Sequence, residues 1–245
     1  MTDETELLFG YHAVKEALLA GRRRFKEIRV VDDRLTKRPA EVVQLANEQQ
    51  IPVRTTSTEA LRILCQSSQH QGIVALVNHF PLADLHQIKT VAKGHTGFLV
   101  ALDSVVDPHN LGALIRTAHC AGVDGVIIPK DRAAGPTPTV SRVSAGALEH
   151  TLLARVTNLA RTMDALQQGG FWVAGLDHSG SHSVFELDAT VPLVLVVGGE
   201  EKGLRPQVKK NCDLVVSIPQ KGRIDSLNAA AAGAIAMYEI VRKRM

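Results

Sequence analysis

The chain has 245 residues, 45% hydrophobic and 22% charged, and 28 Lys+Arg against 25 Asp+Glu give it a formal charge of +3. That is too apolar for intrinsic disorder, long enough for one large domain or two modest ones, and basic enough to permit an anionic partner without requiring one. The longest aliphatic run, Val191 to Val197, is interrupted by Pro192 and falls well short of the roughly 20 residues that cross a bilayer. The three cysteines, Cys65, Cys120 and Cys212, are too scattered for a disulfide framework or a zinc knuckle. With an acidic N-terminus and no secretory pattern, the expectation is a cytoplasmic chain that neither spans nor binds a membrane.

In chain order, His12 to Ala20 reads as a helix closed by Gly21, a residue that tolerates positive φ. Glu27 to Asp32 is a strand, and Pro39 opens a helix that runs to Gln50. Ile51 to Arg54 is a short strand. Thr56 and Glu59 form a capping-box pattern ahead of a helix over Ala60 to Cys65, and Gly72 to Val77 is another strand. The polar stretch from Asn78 to Thr96, with Pro81 and Gly94, reads as a linker.

Beyond it the strands become continuous apolar runs, Phe98 to Leu102, Gly125 to Ile128, Phe171 to Gly175 and Leu193 to Val197, and Val215 to Ile218 is a further strand. Helices over Leu111 to Ala121, Asn158 to Gln168 and Ser226 to Lys243 separate or follow them. Strands apolar on both sides and alternating with helices belong to a parallel sheet covered on both faces, so the fold class is α/β. In the last helix Leu227, Ala230, Ala231, Ala234, Ile235, Tyr238 and Val241 fall on one stripe. The expected organisation is a small α/β domain over 1–78, a linker over 79–96 and a larger α/β domain over 97–245.

Eight basic residues against three acidic ones lie between Arg22 and Arg38. Such clusters are commonly solvated surface, and they also suit phosphate contact. Arg22, Arg23, Arg24 and Lys26 are the candidates for an RNA-contacting patch.

Three segments of the larger domain gather polar and glycine residues at strand ends, where α/β sheets bind ligands. The first runs from Leu102 to Ala118. In it Asn110 sits where an N-cap belongs, and Arg116 lies off the buried stripe, its planar fork suited to a phosphate or an oxyanion. The second, Leu193 to Leu204, has Gly198, Gly199, Glu200 and Gly203 in a spacing that is neither G-x-G-x-x-G nor a Walker loop. This speaks against a nucleotide-dependent oxidoreductase. In the third, Val215 to Ala232, Ser226 caps an alanine-rich helix whose first turn holds Leu227 and Asn228. The ten histidines show no metal-ligand spacing, so no metal is expected. No Ser or Cys stands in a nucleophile motif.

Together and in this order, the three segments resemble the signature motifs of the SpoU family (SPOUT superfamily) of RNA ribose methyltransferases. Motif one is Asp107-Pro108-His109-Asn110-Leu111-Gly112 with Arg116; motif two is Gly199-Glu200-Glu201-Lys202-Gly203-Leu204; motif three runs from Ile218-Pro219 to Ser226-Leu227-Asn228. Phe9-Gly10-Tyr11-His12-Ala13-Val14 and His70-Gln71-Gly72-Ile73 extend the likeness to the substrate-binding domain of bacterial 23S rRNA guanosine 2′-O-methyltransferases of the RlmB type. The motif-three pattern departs in carrying Ala229 where valine is usual, a loss of volume that touches no polar role.

The resemblance implies a deep trefoil knot in the larger domain and a small N-terminal RNA-binding domain. It implies S-adenosyl-methionine bound by Gly198, Gly199, Ile218, Ser226 and Leu227, and a homodimer formed through the C-terminal domain. It also implies methyl transfer to a ribose 2′-hydroxyl carried by Arg116, Asn110, Glu200, Ser226 and Asn228. A tRNA or another rRNA nucleotide is an alternative substrate, and a non-catalytic RNA-binding protein of the same fold is an alternative function.

Overall fold

The structure is a computed structural model of the chain and describes residues 5–31, 37–93, 95–199, 203–223 and 226–245. It separates into two units, Met1–Pro81 with Pro136–His150, and Leu82–Gly135 with Thr151–Met245.

The first unit contains β1 (Thr5–Phe9), α1 (Tyr11–Ala20), β2 (Phe25–Val31), α2 (Lys37–Glu48), β3 (Val53–Thr56), α3 (Thr58–Cys65) and β4 (Ile73–Asn78). Its sheet has the order β1-β4-β2-β3, with β4 antiparallel to both neighbours and β2 parallel to β3. Alternation along β4 sends Ile73, Ala75 and Val77 into a core with Val14, Leu18 and Val42, and Val74 to the other face with Leu61. Gly21 ends α1 at φ 63°, as the sequence predicts. Ser57, rather than Thr56, caps α3, accepting from Ala60 N at 3.2 Å.

The second unit opens with α4 (Leu85–Ala92), β5 (Phe98–Asp103), α5 (Pro108–Cys120) and β6 (Gly125–Pro129). The chain then forms α6 (Pro138–Val143) and α7 (Ala147–His150), which belong to the first unit. It resumes with β7 (Leu153–Val156), α8 (Leu159–Gln167), β8 (Trp172–Leu176), β9 (His182–Ser183), β10 (Leu193–Gly198), α9 (Pro206–Lys210), β11 (Leu214–Ser217) and α10 (Ala229–Arg244). The seven strands are all parallel, in the order β7-β6-β5-β10-β8-β11-β9. Every residue of β5, β6 and β10 is buried, as the continuous apolar runs require. Helices α4, α8 and α9 close one core through Ile88, Met163, Leu166 and Val208. Helix α10 packs on α5, and a Cβ at Gly233 would strike the Leu114 side chain. No helix among the described residues is long and apolar enough to cross a membrane.

This division departs from the expected one in two places. Residues 79–96 are not a plain linker, because Asp84 and Gln87 form a reciprocal capping box that starts α4. Residues 136–150, expected within the larger domain, join the N-terminal unit, because Glu149 and Ser141 bury their side chains around Arg23. The apolar stripe of α10 also lies on the opposite side from a core face: Leu227, Ala231, Ile235 and Tyr238 are exposed, while Gly233, Ala236, Met237 and Ile240 face inward.

Candidate functional site

The C-terminal ends of β8, β10 and β11 open into a cleft of about 950 Å³, the edge at which parallel α/β sheets bind ligands. Leu176, Val197, Ile218, Leu227, Ala229 and Ala232 give it an apolar lining, and Asp177, Ser217, Gln220 and Ser226 bring polar groups to it. Gly198 and Gly199 complete it with bare backbone. A Cβ at Gly198 would meet the Gly203 backbone and come within 2.7 Å of Leu204 N, and one at Gly199 would strike the Ser104 carbonyl. The wall is glycine because the neighbouring backbone leaves no room for a side chain.

All five residues expected around a cofactor, Gly198, Gly199, Ile218, Ser226 and Leu227, line this cleft. The expected catalytic residues distribute less simply. Asn110 and Asn228, 118 positions apart, are joined by a hydrogen bond in which Asn228 Nδ2 donates to Asn110 Oδ1 at 3.0 Å. Asn110 is buried, and its own Nδ2 donates to Asp107 Oδ2 at 3.4 Å. The helix caps are not those read from the sequence. Asp107 caps α5, accepting from His109 N at 2.9 Å, so Asn110 lies inside the first turn. Asn228 caps α10, accepting from Ala230 N at 2.9 Å and Ala231 N at 3.3 Å, so Ser226 lies before the helix and is exposed. One side chain thus caps a helix with its oxygen and reaches motif one with its nitrogen, which accounts for an Asn that helix propensity alone leaves unexplained.

Arg116 is exposed on α5, is not part of the cleft lining, and has no hydrogen-bond or ion-pair partner among the described residues. Glu200 lies outside the described residues. Cys212 is no nucleophile: burial pushes its thiol up to about 12.

Of the four basic residues assigned to RNA contact, two are structural. Arg23 is buried with both nitrogens of its fork on Glu149 (Nε to Oε2 2.8 Å, Nη2 to Oε1 3.0 Å), while Nη1 donates to Glu6 and to the Asn78 carbonyl. Arg22 donates to the carbonyls of Glu149 and Pro81, and burial lowers its pKa. Arg24 and Lys26 are exposed. The residues that the sequence did not single out are Asp103 and Asp177, each directly after the apolar stretch of a strand: Asp177 lines the cleft, and Asp103 lies behind its wall, its carbonyl accepting from Gly199 N. The pattern of an apolar run ending in Asp is the signal that finds them.

Residues 97–238 match the SpoU rRNA Methylase family and residues 7–83 match the RNA 2′-O ribose methyltransferase substrate binding family. The chain is 38% identical over 246 residues to the Bacillus subtilis protein named "Putative TrmH family tRNA/rRNA methyltransferase YacO", covering 100% of this chain and 98% of the other. The SpoU methyltransferase AviRb from Streptomyces viridochromogenes, solved in complex with AdoMet, superposes with a TM-score of 0.83 at 27% identity, covering 98% of this chain and 90% of that one. An AdoMet-bound rRNA methyltransferase from Sinorhizobium meliloti gives a TM-score of 0.82 at 25% identity, covering 98% and 88%.

Proposed function

Because this chain belongs to the SpoU (TrmH) family of RNA methyltransferases, we propose that it methylates the ribose 2′-hydroxyl of a guanosine in 23S rRNA. The enzyme is S-adenosyl-methionine-dependent and its substrate is RNA. The observation that carries the reading is the glycine-walled cleft beside the Asn110–Asn228 pair. Its volume lies within the few hundred to about 1,000 Å³ typical of cofactor sites. Its apolar side suits a nucleobase, its polar groups suit a ribose, and its bare wall lets a ligand lie against peptide groups, so the residues present fit the cofactor. When bound, S-adenosyl-methionine supplies a methyl group already activated by the sulfonium charge, and no protein nucleophile is needed.

The chain's own contribution is placement and charge. Ile218 and Leu227 hold the base, and Gly198 and Gly199 let the backbone approach. Asn110 and Asn228 fix the first turns of α5 and α10 together and orient the ribose, with Ser226 and Glu200 as further polar contacts. The guanidinium fork of Arg116 clamps the phosphate next to the target ribose and stabilises the oxyanion that forms as the hydroxyl proton is lost to solvent. Arg24 and Lys26 remain as phosphate contacts, whereas Arg22 and Arg23 are committed to the fold.

The preference for 23S rRNA rests on the N-terminal motif residues. These meet in the first unit, where Tyr11 N donates to Gln71 Oε1 at 2.9 Å and Gly10 N to the Ile73 carbonyl at 3.1 Å. Two further parts of the reading draw on the second unit. A homodimer through the C-terminal domain is supported by the exposed stripe Leu227, Ala231, Ile235 and Tyr238, since Leu227 belongs to both the stripe and the cleft. A trefoil knot is supported by β10 lying between β5 and β8, with Gly199 N donating to the Asp103 carbonyl at 2.8 Å.

The test of Arg116 is a lysine replacement, which keeps the charge and loses the fork. Arg116→Lys is expected to lower kcat at saturating RNA by about 100-fold while leaving S-adenosyl-homocysteine affinity within about twofold. A kcat near that of the wild type would remove Arg116 from the chemical step.

A further inference from the structure

The strands on either side of β10 each finish in an aspartate, Asp103 closing β5 and Asp177 following β8. Both are buried, and each holds one of two consecutive backbone amides directly before α9. Leu204 N donates to Asp177 Oδ2 at 3.2 Å, and Arg205 N donates to Asp103 Oδ2 at 2.8 Å. The two amides are thus held from opposite flanks of β10.

The rest of each carboxylate is also taken by protein donors. Asp103 Oδ1 accepts from Arg205 Nε at 2.6 Å, and its backbone carbonyl accepts from Gly199 N at 2.8 Å, so a single residue holds the chain at both Gly199 and Arg205. Asp177 Oδ1 accepts from Ser179 N at 3.0 Å, Ser179 Oγ at 2.6 Å and Lys209 Nζ at 3.1 Å. Between the two anchors the neck is closed by Gly203 N donating to the Gly199 carbonyl at 3.1 Å. Gly203 stands at φ +59°, and a Cβ there would lie 2.7 Å from Asp177 Oδ2. Gly198, Gly199 and Gly203 are the wall of the cleft, and Asp177 also lines it.

We propose that Asp103 and Asp177 are positioning residues for the cofactor: two buried carboxylates, one from each strand beside β10, that fix the glycine wall by gripping the amides of Arg205 and Leu204. The proposal rests on the cofactor reading above. Both oxygens of each carboxylate are already engaged by protein donors, and the amides they grip belong to the chain that carries the glycine wall, so the effect assigned to them reaches the ligand through the backbone. Burial works against the Asp177 charge, and the bonds from Ser179, Lys209 and Leu204 overcome it, holding the carboxyl well below its ordinary range. It is therefore a charged acceptor at neutral pH.

The test is isothermal titration of the full-length wild type and of Asp177→Asn and Asp103→Asn with S-adenosyl-homocysteine. The amide is isosteric but turns one acceptor into a donor facing an N–H. Asp124→Asn is the matched control, because Asp124 Oδ2 likewise accepts a backbone amide (Phe98 N, 2.7 Å), at the far end of the same sheet. The expected result is a Kd raised about tenfold or more by either cleft variant and moved less than about twofold by the control. The cofactor KM should rise in parallel, with kcat at saturating cofactor and RNA affinity without cofactor each kept within about threefold, a split that general loss of structure would not give. Either cleft variant alone suffices if the other fails to fold. Wild-type Kd in a folded cleft variant, or an equal shift in Asp124→Asn, overturns the proposal. A wild type that binds no S-adenosyl-homocysteine overturns the cofactor reading itself, and the proposal with it.

Discussion

Gly199→Ala is expected to abolish cofactor binding, with the Kd for S-adenosyl-homocysteine rising about 100-fold or more by titration, a loss of roughly 3 kcal/mol. The added methyl group is small, but it would stand on the Ser104 carbonyl, and a backbone atom cannot swing aside as a flexible side chain can. Relief would require β10 to move off β5 at the point where Gly199 N donates to the Asp103 carbonyl. Where space and dihedrals admit a Cβ, the same change is harmless or mildly favourable, because alanine restricts the unfolded chain. Gly135→Ala is the comparison, since no atom lies within 4 Å of its Cβ position, and it is expected to leave affinity unchanged. A Gly199→Ala Kd within about threefold of the wild type would mean that the wall is not where the ligand lies.

Arg23→Met is expected to destabilise the first unit by about 3–5 kcal/mol. The guanidinium and the Glu149 carboxylate are both fully buried, and the replacement would leave that carboxylate with Ser141 Oγ (2.7 Å) in place of a two-bonded cation. Burial opposes the Arg23 charge, yet Glu149 and Glu6 outweigh it and raise its pKa. The loss should appear in hydrogen exchange at the amides of Ile28, Val30 and Val74, which sit in the core of the first unit. Fluorescence of Trp172 reports on the other unit and would miss it. Adding Glu149→Gln is expected to recover part of the loss, because the buried charge is then gone. A cost below about 1 kcal/mol would show that the pair is not an anchor of this unit.

The central strands were legible because burial on both faces keeps them apolar, which β10 shows throughout and β5 shows as far as Leu102, before Asp103 ends it. The caps were not, because several competent residues stand close together. Ser226 and Asn228, or Asp107 and Asn110, are separated by backbone dihedrals and not by composition. The 3.6-residue period of α10 was readable, but a period does not say which side faces the protein, and Ile235 and Tyr238 turned out to be exposed. Helix α4 was hidden between Pro81 and Gly94, which read as breakers, although Asp84 and Gln87 carried its start signal. The roles of Arg22 and Arg23 were beyond local reading, since the Glu149 that holds them is 126 positions from Arg23. In the site, each glycine and the Asn110–Asn228 meeting required three dimensions, whereas the ordered motifs that name them lay in the chain itself.

The most direct test of the account maps 2′-O-methyl groups on unmodified 23S rRNA, 16S rRNA and tRNA after incubation with the purified protein and S-adenosyl-methionine. The expected result is a new 2′-O-methyl group on a guanosine of 23S rRNA that is absent with Gly199→Ala. Methylation of a base atom, or no methylation of any of these RNAs, would contradict it.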